Sequence, residues 1–401
     1  MPCFFTLMRK LSFFCSFVSI FILGLCSSLA ISAQSLSENS TVSLLTISPG
    51  EELWSFAGHT AIRVKDPVNG IDVNFNYGTF DFRKENFYFK FLRGTLPYEI
   101  GAANYRQETP YWLREERFVT EQVLDLSLGQ KQKLFDYLIE NYKPENREYR
   151  YKFFYDNCST RVRDVISEAC GDSLKFSTSL HADSTYRDWI KKYSQISHND
   201  WAEFGMDLLI GVPADETTGW AQAMYIPDNL MMAVDSASIQ KNGKWGKLVK
   251  QRFVIGSTDH QTESLPIKPT VFFFLVFVLV GVLTFIELRS GKWFILFDKI
   301  LFSLIGLSGL IFFFLWFFTD HGVTSWNLNL LWAFPIWFPT VWFLKRTQSQ
   351  NLLTKLFLAQ AISAAVVVLG FKILPQTFHL AVWPIAAIVL SRSLLIWKRK
   401  S

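Results

Sequence analysis

Residues 149–164 read YRYKFFYDNCSTRVRD, and the fold turns on how this stretch divides. Its first half, YRYKFFY, alternates aromatic and basic residues with the period of a strand. From Asn157 the pattern changes. Asn157 is a good helix N-cap, a helix is expected from Cys158 to Ala169, and Gly171 stands just past its end. A cysteine that opens a helix directly after a strand faces backbone N–H groups and the positive end of the helix dipole, which favours thiolate. The same N–H groups can hold the oxyanion of a tetrahedral intermediate.

A cysteine nucleophile needs a base beside it. His59 follows Gly58 in WSFAGHTAIRV (54–64), at the start of an expected strand, and glycine there permits close backbone approach. The third member would orient the imidazole. Asp72, Asn74 and Asn76 alternate along the next strand, so one face can present any of them, and Asn76 is favoured. The competing reading of Cys158 is a disulfide with Cys170, the only other cysteine left once the N-terminal segment is removed. If one helix runs between them, twelve steps of ~1.5 Å separate them by ~18 Å. A bridge needs less than ~7 Å. A free thiol is therefore expected.

Working outward, residues 41–47, 59–65, 71–77 and 118–126 are rich in β-branched and aromatic types and read as strands. Residues 130–141 read as an amphipathic helix, and 184–237 as mostly helical, including DWAEFGMDLLIG (200–211) and PDNLMM (227–232). The result is an α+β domain over 34–240, with 241–267 as a polar linker. There is no internal repeat and no phosphate-binding glycine loop. The six histidines are scattered without zinc-site spacing, so neither metal nor cofactor is expected, and His181 and His198 read as surface residues. Arg161 and Arg163 read as a salt-bridged helix face before an anion site. The aromatic stretch 80–91 reads as core or membrane contact.

The rest of the chain is apolar. Hydrophobic residues make up 50% of the sequence, with 39 Phe and 14 Trp, and the excess lies in the first 33 residues and beyond about 268. Residues 1–33 carry a basic pair, Arg9-Lys10, an apolar run and a small-residue site at 31–33, the pattern of an export signal. Five further apolar runs, 268–287, 294–318, 327–344, 352–371 and 376–397, each approach the ~20 residues that span a bilayer. With the preceding domain outside, Arg289/Lys292, Lys345/Arg346/Lys355 and Lys398–Lys400 all fall inside, as the positive-inside rule requires. Asp320 and His321 then sit in an outward loop. Few ionisable groups lie near a helix centre, which argues against an ion pathway. The positive charge behind the chain's net +5 lies outside this domain: residues 34–267 hold 26 Lys and Arg against 32 Asp and Glu, a net of −6, with no basic footprint for nucleic acid.

Three motifs, GHTAIRV (58–64), NYGTFDF (76–82) and DNCSTRVRD (156–164), resemble the permuted papain-like enzymes, in which histidine precedes cysteine. Relatives of lecithin–retinol acyltransferase share that order and move acyl groups through a thioester. With WAEFGMDLLIG and DHGVTSWNLNLLWAFP (320–335), nearly the whole chain after the signal resembles the Lnb-type lipoprotein N-acyltransferases. The resemblance implies a permuted papain-like periplasmic domain followed by an all-α domain of five transmembrane helices (268–401), in a bacterial inner membrane. It implies Cys158 as nucleophile and His59 as general base, with the role of Asn76 less secure. His321, Asn327, Asn329 and Arg63 become candidates for substrate or headgroup contact. The implied reaction moves an acyl chain from a phospholipid to the α-amino group of a diacylglyceryl lipoprotein. A membrane-tethered cysteine hydrolase, acting on peptidoglycan peptide or a lipid ester, uses the same pair. A non-catalytic module with a structural cysteine is the remaining alternative.

Overall fold

The computed structural model describes residues 35–50, 55, 57–177, 183–196, 199–257, 266–345 and 351–400. The expected signal (1–33), His181 and His198 lie outside the described residues. Leu36–Ser401 form one compact unit.

Among the described residues there are ten strands: β1 Thr41–Ile47, β2 His59–Asp66, β3 Ile71–Thr79, β4 Pro97–Asn104, β5 Val119–Leu124, β6 Glu148–Arg150, β7 Leu174–Lys175, β8 Ser238–Lys241, β9 Lys244–Lys247 and β10 Val249–Ile255. Seven form a sheet of order β10-β5-β1-β2-β3-β4-β6, antiparallel at every pairing, and β7-β8-β9 form a small second sheet. Four strands fall where the β-branched runs place them. Two expectations change. The alternation over 149–155 suggests one strand, but pairing stops at Arg150 and the chain turns, with an isolated bridge from Lys152 to Asp156. The stretch 241–267 is more than a linker, because β10 extends the main sheet at its β5 edge.

Helices α1 Phe87–Leu92, α2 Tyr105–Arg114, α3 Leu128–Tyr142, α4 Cys158–Cys170, α5 Tyr186–Ile196, α6 Asp200–Leu209 and α7 Pro227–Ser236 complete the domain. The sheet is covered on both faces, which is why β1 and β2 are buried almost throughout rather than alternately. On one face Trp112 of α2 packs on Leu45, Ile47, Ala61 and Val119. On the other, Phe135 of α3 meets Phe75 edge-on at 6.4 Å, and Gln122 of β5 hydrogen-bonds Met231 O and Asp235 of α7.

The membrane part holds α8 Pro269–Ser290, α9 Ile295–Phe317, α10 Asn351–Gly370 and α11 Val382–Lys400. Three helices among the described residues are long and apolar enough to cross a bilayer: Pro269–Ser290, Ile295–Phe317 and Leu352–Gly370. The expected third span, 327–344, is instead three short turns, Leu328–Leu331, Trp337–Thr340 and Val341–Phe343. Pro335 and Pro339 explain the break, since proline lacks the N–H a continuous helix needs. This irregular segment lies directly on α9, where a Cβ on Gly306 would come within 2.2 Å of Phe338 N and one on Gly309 within 2.1 Å of Ala333 O. α11 carries Arg392, fully buried between Glu287 (2.6 Å) and Asp298 (2.8 Å). The two carboxylates lie toward the helix ends, Glu287 in the last turn of α8 and Asp298 in the first turn of α9, and the ionisable groups are mutually paired, with Trp293 Nε1 also donating to Asp298.

The two parts are fastened together at one end of the spans. Asn327 Nδ2 donates to Leu208 O and Leu209 O, and Asn329 Nδ2 donates to Leu208 O, satisfying carbonyls at the end of α6. Gln376 accepts from Leu328 N, and Gly211 N donates to Val323 O. A second contact joins the loop after α9 to the neighbourhood of α1: Asp320 pairs with Arg150 and Lys152, its N–H donates to Arg93 O, and His321 Nε2 lies 3.0 Å from Leu92 O.

Candidate functional site

Cys158 opens α4 as expected. Asn157 caps the helix, its Oδ1 accepting from Ser159 N (2.9 Å) and Thr160 N (3.0 Å), while Thr160 Oγ1 accepts from Asn157 N (2.8 Å). Cys158 and Cys170 are both free, at opposite ends of α4. The helix is seated on β2 by a hydrogen bond of 2.9 Å between Ser159 Oγ and Thr60 Oγ1, one residue along from each candidate. On the neighbouring strand β3, Gly78 lies past the stretch paired with β2, which ends at Ile62↔Phe75. Gly78 has φ +86, and a Cβ there would lie 3.7 Å from Cys158 Cβ and 3.2 Å from the Tyr151 ring. Its missing side chain leaves the space that Cys158 and Tyr151 approach. Gly58 also has a positive φ, +84, and a Cβ on it would strike Ile47 O at 2.6 Å, so glycine is required where the chain turns into His59.

Behind His59 runs a polar relay. Its Nε2 is 3.1 Å from Asn76 Oδ1, and Asn76 Nδ2 reaches both oxygens of Glu108 at 3.0 and 3.1 Å. Asn74 Nδ2 donates to the same carboxylate at 2.9 Å. Because a carboxylate only accepts, Asn76 turns its amide N–H toward Glu108 and its oxygen toward His59. Nε2 is then the donor, and Nδ1 keeps a free lone pair. Of Asp72, Asn74 and Asn76, Asn76 is the one in hydrogen-bond contact with the His59 ring. Sequence reasoning missed Glu108. Its signal was a lone acid inside the apolar-faced stretch YRQETPYWLR, but a buried acid and a solvated one look alike in sequence.

The electrostatics differ from expectation. Burial lowers the His59 pKa from 6.5 to about 4; the Asn76 hydrogen bond opposes this and the nearby Arg117 charge adds to it. Its residual exposure is intermediate, yet dense packing around the ring dominates. Burial also pushes the Cys158 thiol above its ordinary 9.0, against the pull of the Thr60 and Ser159 hydrogen bonds. The resting pair is therefore neutral thiol and neutral imidazole, not the thiolate that the helix dipole alone suggests. The oxyanion site narrows likewise. Ser159 and Thr160 N–H groups are occupied by Asn157, leaving the Cys158 amide of the first turn. Arg117 is the buried cation next to this centre: its Nε donates to Ser48 O at 2.8 Å, and burial pushes its pKa down.

The other candidates have different occupations. Arg63 lies four residues along β2 from His59, roughly 13 Å at ~3.3 Å per residue. It is held by Asp72 (2.8 Å) and Glu121 (3.1 Å) and covers the Tyr105 ring at 3.3 Å, so its guanidinium is committed within the domain and not to a headgroup. Asn327 and Asn329 spend their side chains on the α6 carbonyls and on Asn329 N and Trp332 Nε1, making them clamps between the two parts. His321 bonds Leu92 O and abuts Gly94, and burial lowers its pKa; it too joins the parts and is not drawn into the Cys158 centre. Arg161 forms a forked pair with Asp156 (2.6 and 2.7 Å), and Arg163 pairs with Asp164, in line with the salt-bridge reading. Among the described residues no group of His, Cys, Asp and Glu is arranged to hold a metal.

Two family models match this architecture, the Lnb N-terminal periplasmic domain over residues 30–192 and the Lnb transmembrane domain over 260–400. The chain belongs to the Lnb family. Membership makes it a membrane enzyme of lipoprotein biogenesis, with a periplasmic α+β domain ahead of a helical transmembrane region. Searches of curated proteins and of solved structures return no match.

Proposed function

We propose that the protein transfers an acyl chain from a phospholipid, through a thioester on Cys158, to the α-amino group of diacylglyceryl lipoproteins at the outer face of a bacterial inner membrane. What supports this is the hydrogen bond between Ser159 and Thr60, the residues next to Cys158 and His59, which seats α4 on β2, together with the His59 ring held by Asn76, itself held by Glu108. The order of histidine before cysteine, with the cysteine opening a helix against an antiparallel sheet, supports a permuted papain-like domain.

In the first step Cys158 Sγ attacks the donor ester carbonyl while His59 Nδ1 takes the thiol proton. The tetrahedral intermediate collapses, the C–O bond breaks, and the departing lysophospholipid oxygen takes the proton back from His59. In the second step the lipoprotein amine attacks the thioester and passes a proton through His59 to the leaving sulfur, giving an amide and restoring the thiol. Neutral imidazole is the required starting form, and a pKa of about 4 supplies it at physiological pH. The buried Arg117 charge, which acts on both His59 and Cys158, would favour a developing negative charge there. Fastening to the membrane part keeps the site at the surface where both lipid substrates are anchored.

The test is mass spectrometry of lipoprotein N-termini from cells expressing the wild type or Cys158→Ala at equal accumulation. Triacylated N-termini from the wild type alone support the proposal. Triacylated N-termini from Cys158→Ala refute it, and free fatty acid from the purified wild type, with no acylated lipoprotein, would favour a hydrolase.

A further inference from the structure

Helix α1, FYFKFL, faces the wrong way for a soluble domain. Phe87 is buried, but Tyr88 (76% exposed), Phe89 (57%), Phe91 and Leu92 all present large apolar surface, joined by Phe82. Such a cluster marks an interaction site rather than scattered surface residues. Lys90 and Arg93 flank it, each with a long stem that can lie along apolar surface while its charge stays at headgroup level.

What covers this patch follows from its attachment. Arg93 Nε donates to Phe318 O, Asp320 N donates to Arg93 O, and His321 meets Leu92 O, so α1 is tied to the end of the membrane-length helix α9. Phe317 and Phe318, at that end, are each 55% exposed. The apolar face of α1 therefore continues the lipid-facing surface of α9. From α1 a row of rings leads inward: Phe91 stacks on Phe87 (6.1 Å), Phe87 meets Phe80 (5.8 Å), Phe80 meets Tyr98 (5.3 Å), and Tyr98 stacks on Tyr151 (4.5 Å). Tyr151 ends the row at Gly78, next to Cys158.

We propose that α1 is seated in the outer leaflet of the membrane, and that the row Phe87–Phe80–Tyr98–Tyr151 carries an acyl chain of a leaflet phospholipid to Cys158. The seating stands on the α1–α9 attachment; the delivery route rests on the acyl-transfer reading above. Aromatic rings suit both tasks, since they lie at the membrane interface and offer apolar contact without a fixed register for the chain.

Two readouts separate the halves. For the seating, the full chain with Phe91→Cys, and with its five native cysteines replaced by serine, carries an NBD label in nanodiscs of phosphatidylethanolamine and phosphatidylglycerol. Lipid bearing a shallow doxyl group should quench this label by roughly twofold, while a label at Tyr137→Cys on α3 is unaffected. A label at 91 as water-exposed as that at 137 overturns the seating. Burial that ignores the doxyl lipid but follows protein density overturns it too, in favour of a protein partner. For the route, Tyr98→Ala should lower lipoprotein N-acylation by roughly tenfold or more while iodoacetamide alkylation of Cys158 is unchanged. Wild-type acylation by that variant overturns the route. The label experiment needs no acylation, so its result holds even where the acyl-transfer reading fails.

Discussion

The neutral resting pair makes a sharp prediction about how Cys158 reacts with pH. The His59 pKa is lowered to about 4, while burial holds the Cys158 thiol above 9.0. The gap is at least about five pH units, so moving the proton from sulfur to imidazole before substrate binds costs about 7 kcal/mol. A preformed thiolate–imidazolium pair would then populate roughly one molecule in 10⁵. The assay is alkylation of the full-length enzyme by iodoacetamide from pH 5 to 9, with the Cys158 peptide quantified by mass spectrometry. The rate should rise about tenfold per pH unit without a plateau, because only free thiolate reacts. His59→Gln should leave that profile nearly unchanged at pH 7 while abolishing acyl transfer. A plateau beginning near pH 5, lost in His59→Gln, would show a standing ion pair and refute the reasoning.

Other substitutions probe the relay, the membrane core and the clamp. Asn76→Ala removes the group that orients His59 and strips Glu108 of two hydrogen bonds; kcat should fall by roughly 10²-fold and stability by about 1–3 kcal/mol in a denaturation series. Arg392→Leu leaves Glu287 and Asp298 buried without their cation. It should cost about 3–5 kcal/mol or prevent accumulation, and a variant replacing all three residues with apolar ones should recover much of the loss. Asn327→Leu deprives Leu209 O of its side-chain donor and leaves Leu208 O with Asn329 alone. Limited proteolysis should then cleave between the two parts faster than in the wild type, with Cys158 alkylation unchanged; equal protection would deny the clamp.

The site was legible where local chemistry decides it. Asn157 and Cys158 announce a capped helix, Gly58 marks the turn into His59, and the spacing of Asp72, Asn74 and Asn76 put the asparagine that contacts His59 on the next strand. Long-range partners decide the rest. Glu108 comes from a helix 32 residues past Asn76 and no local pattern marks it. β4, PYEIGAAN, is built from residues poor in strand propensity and is held by its pairing with β3. The run 327–344 is apolar enough for a span, yet its two prolines outweigh hydropathy in the fold. Asn327, Asn329 and Arg63 enter as substrate candidates through the family resemblance, which says nothing of what their side chains touch. In the structure their donors are occupied by carbonyls and carboxylates from distant elements. The thiolate expected at Cys158 follows from the helix dipole, and burial, which sequence does not quantify, outweighs it.

The central claim is that the acyl chain rests on Cys158 between donor and acceptor. Its most direct test is to incubate the purified full-length enzyme with phospholipid alone, digest it, and weigh the peptide containing Cys158. The account predicts an acyl adduct on Cys158 that hydroxylamine removes and that a diacylglyceryl lipopeptide discharges as N-acylated product. Lipopeptide acylation that proceeds with Cys158 unmodified, or persists in Cys158→Ser, would contradict it.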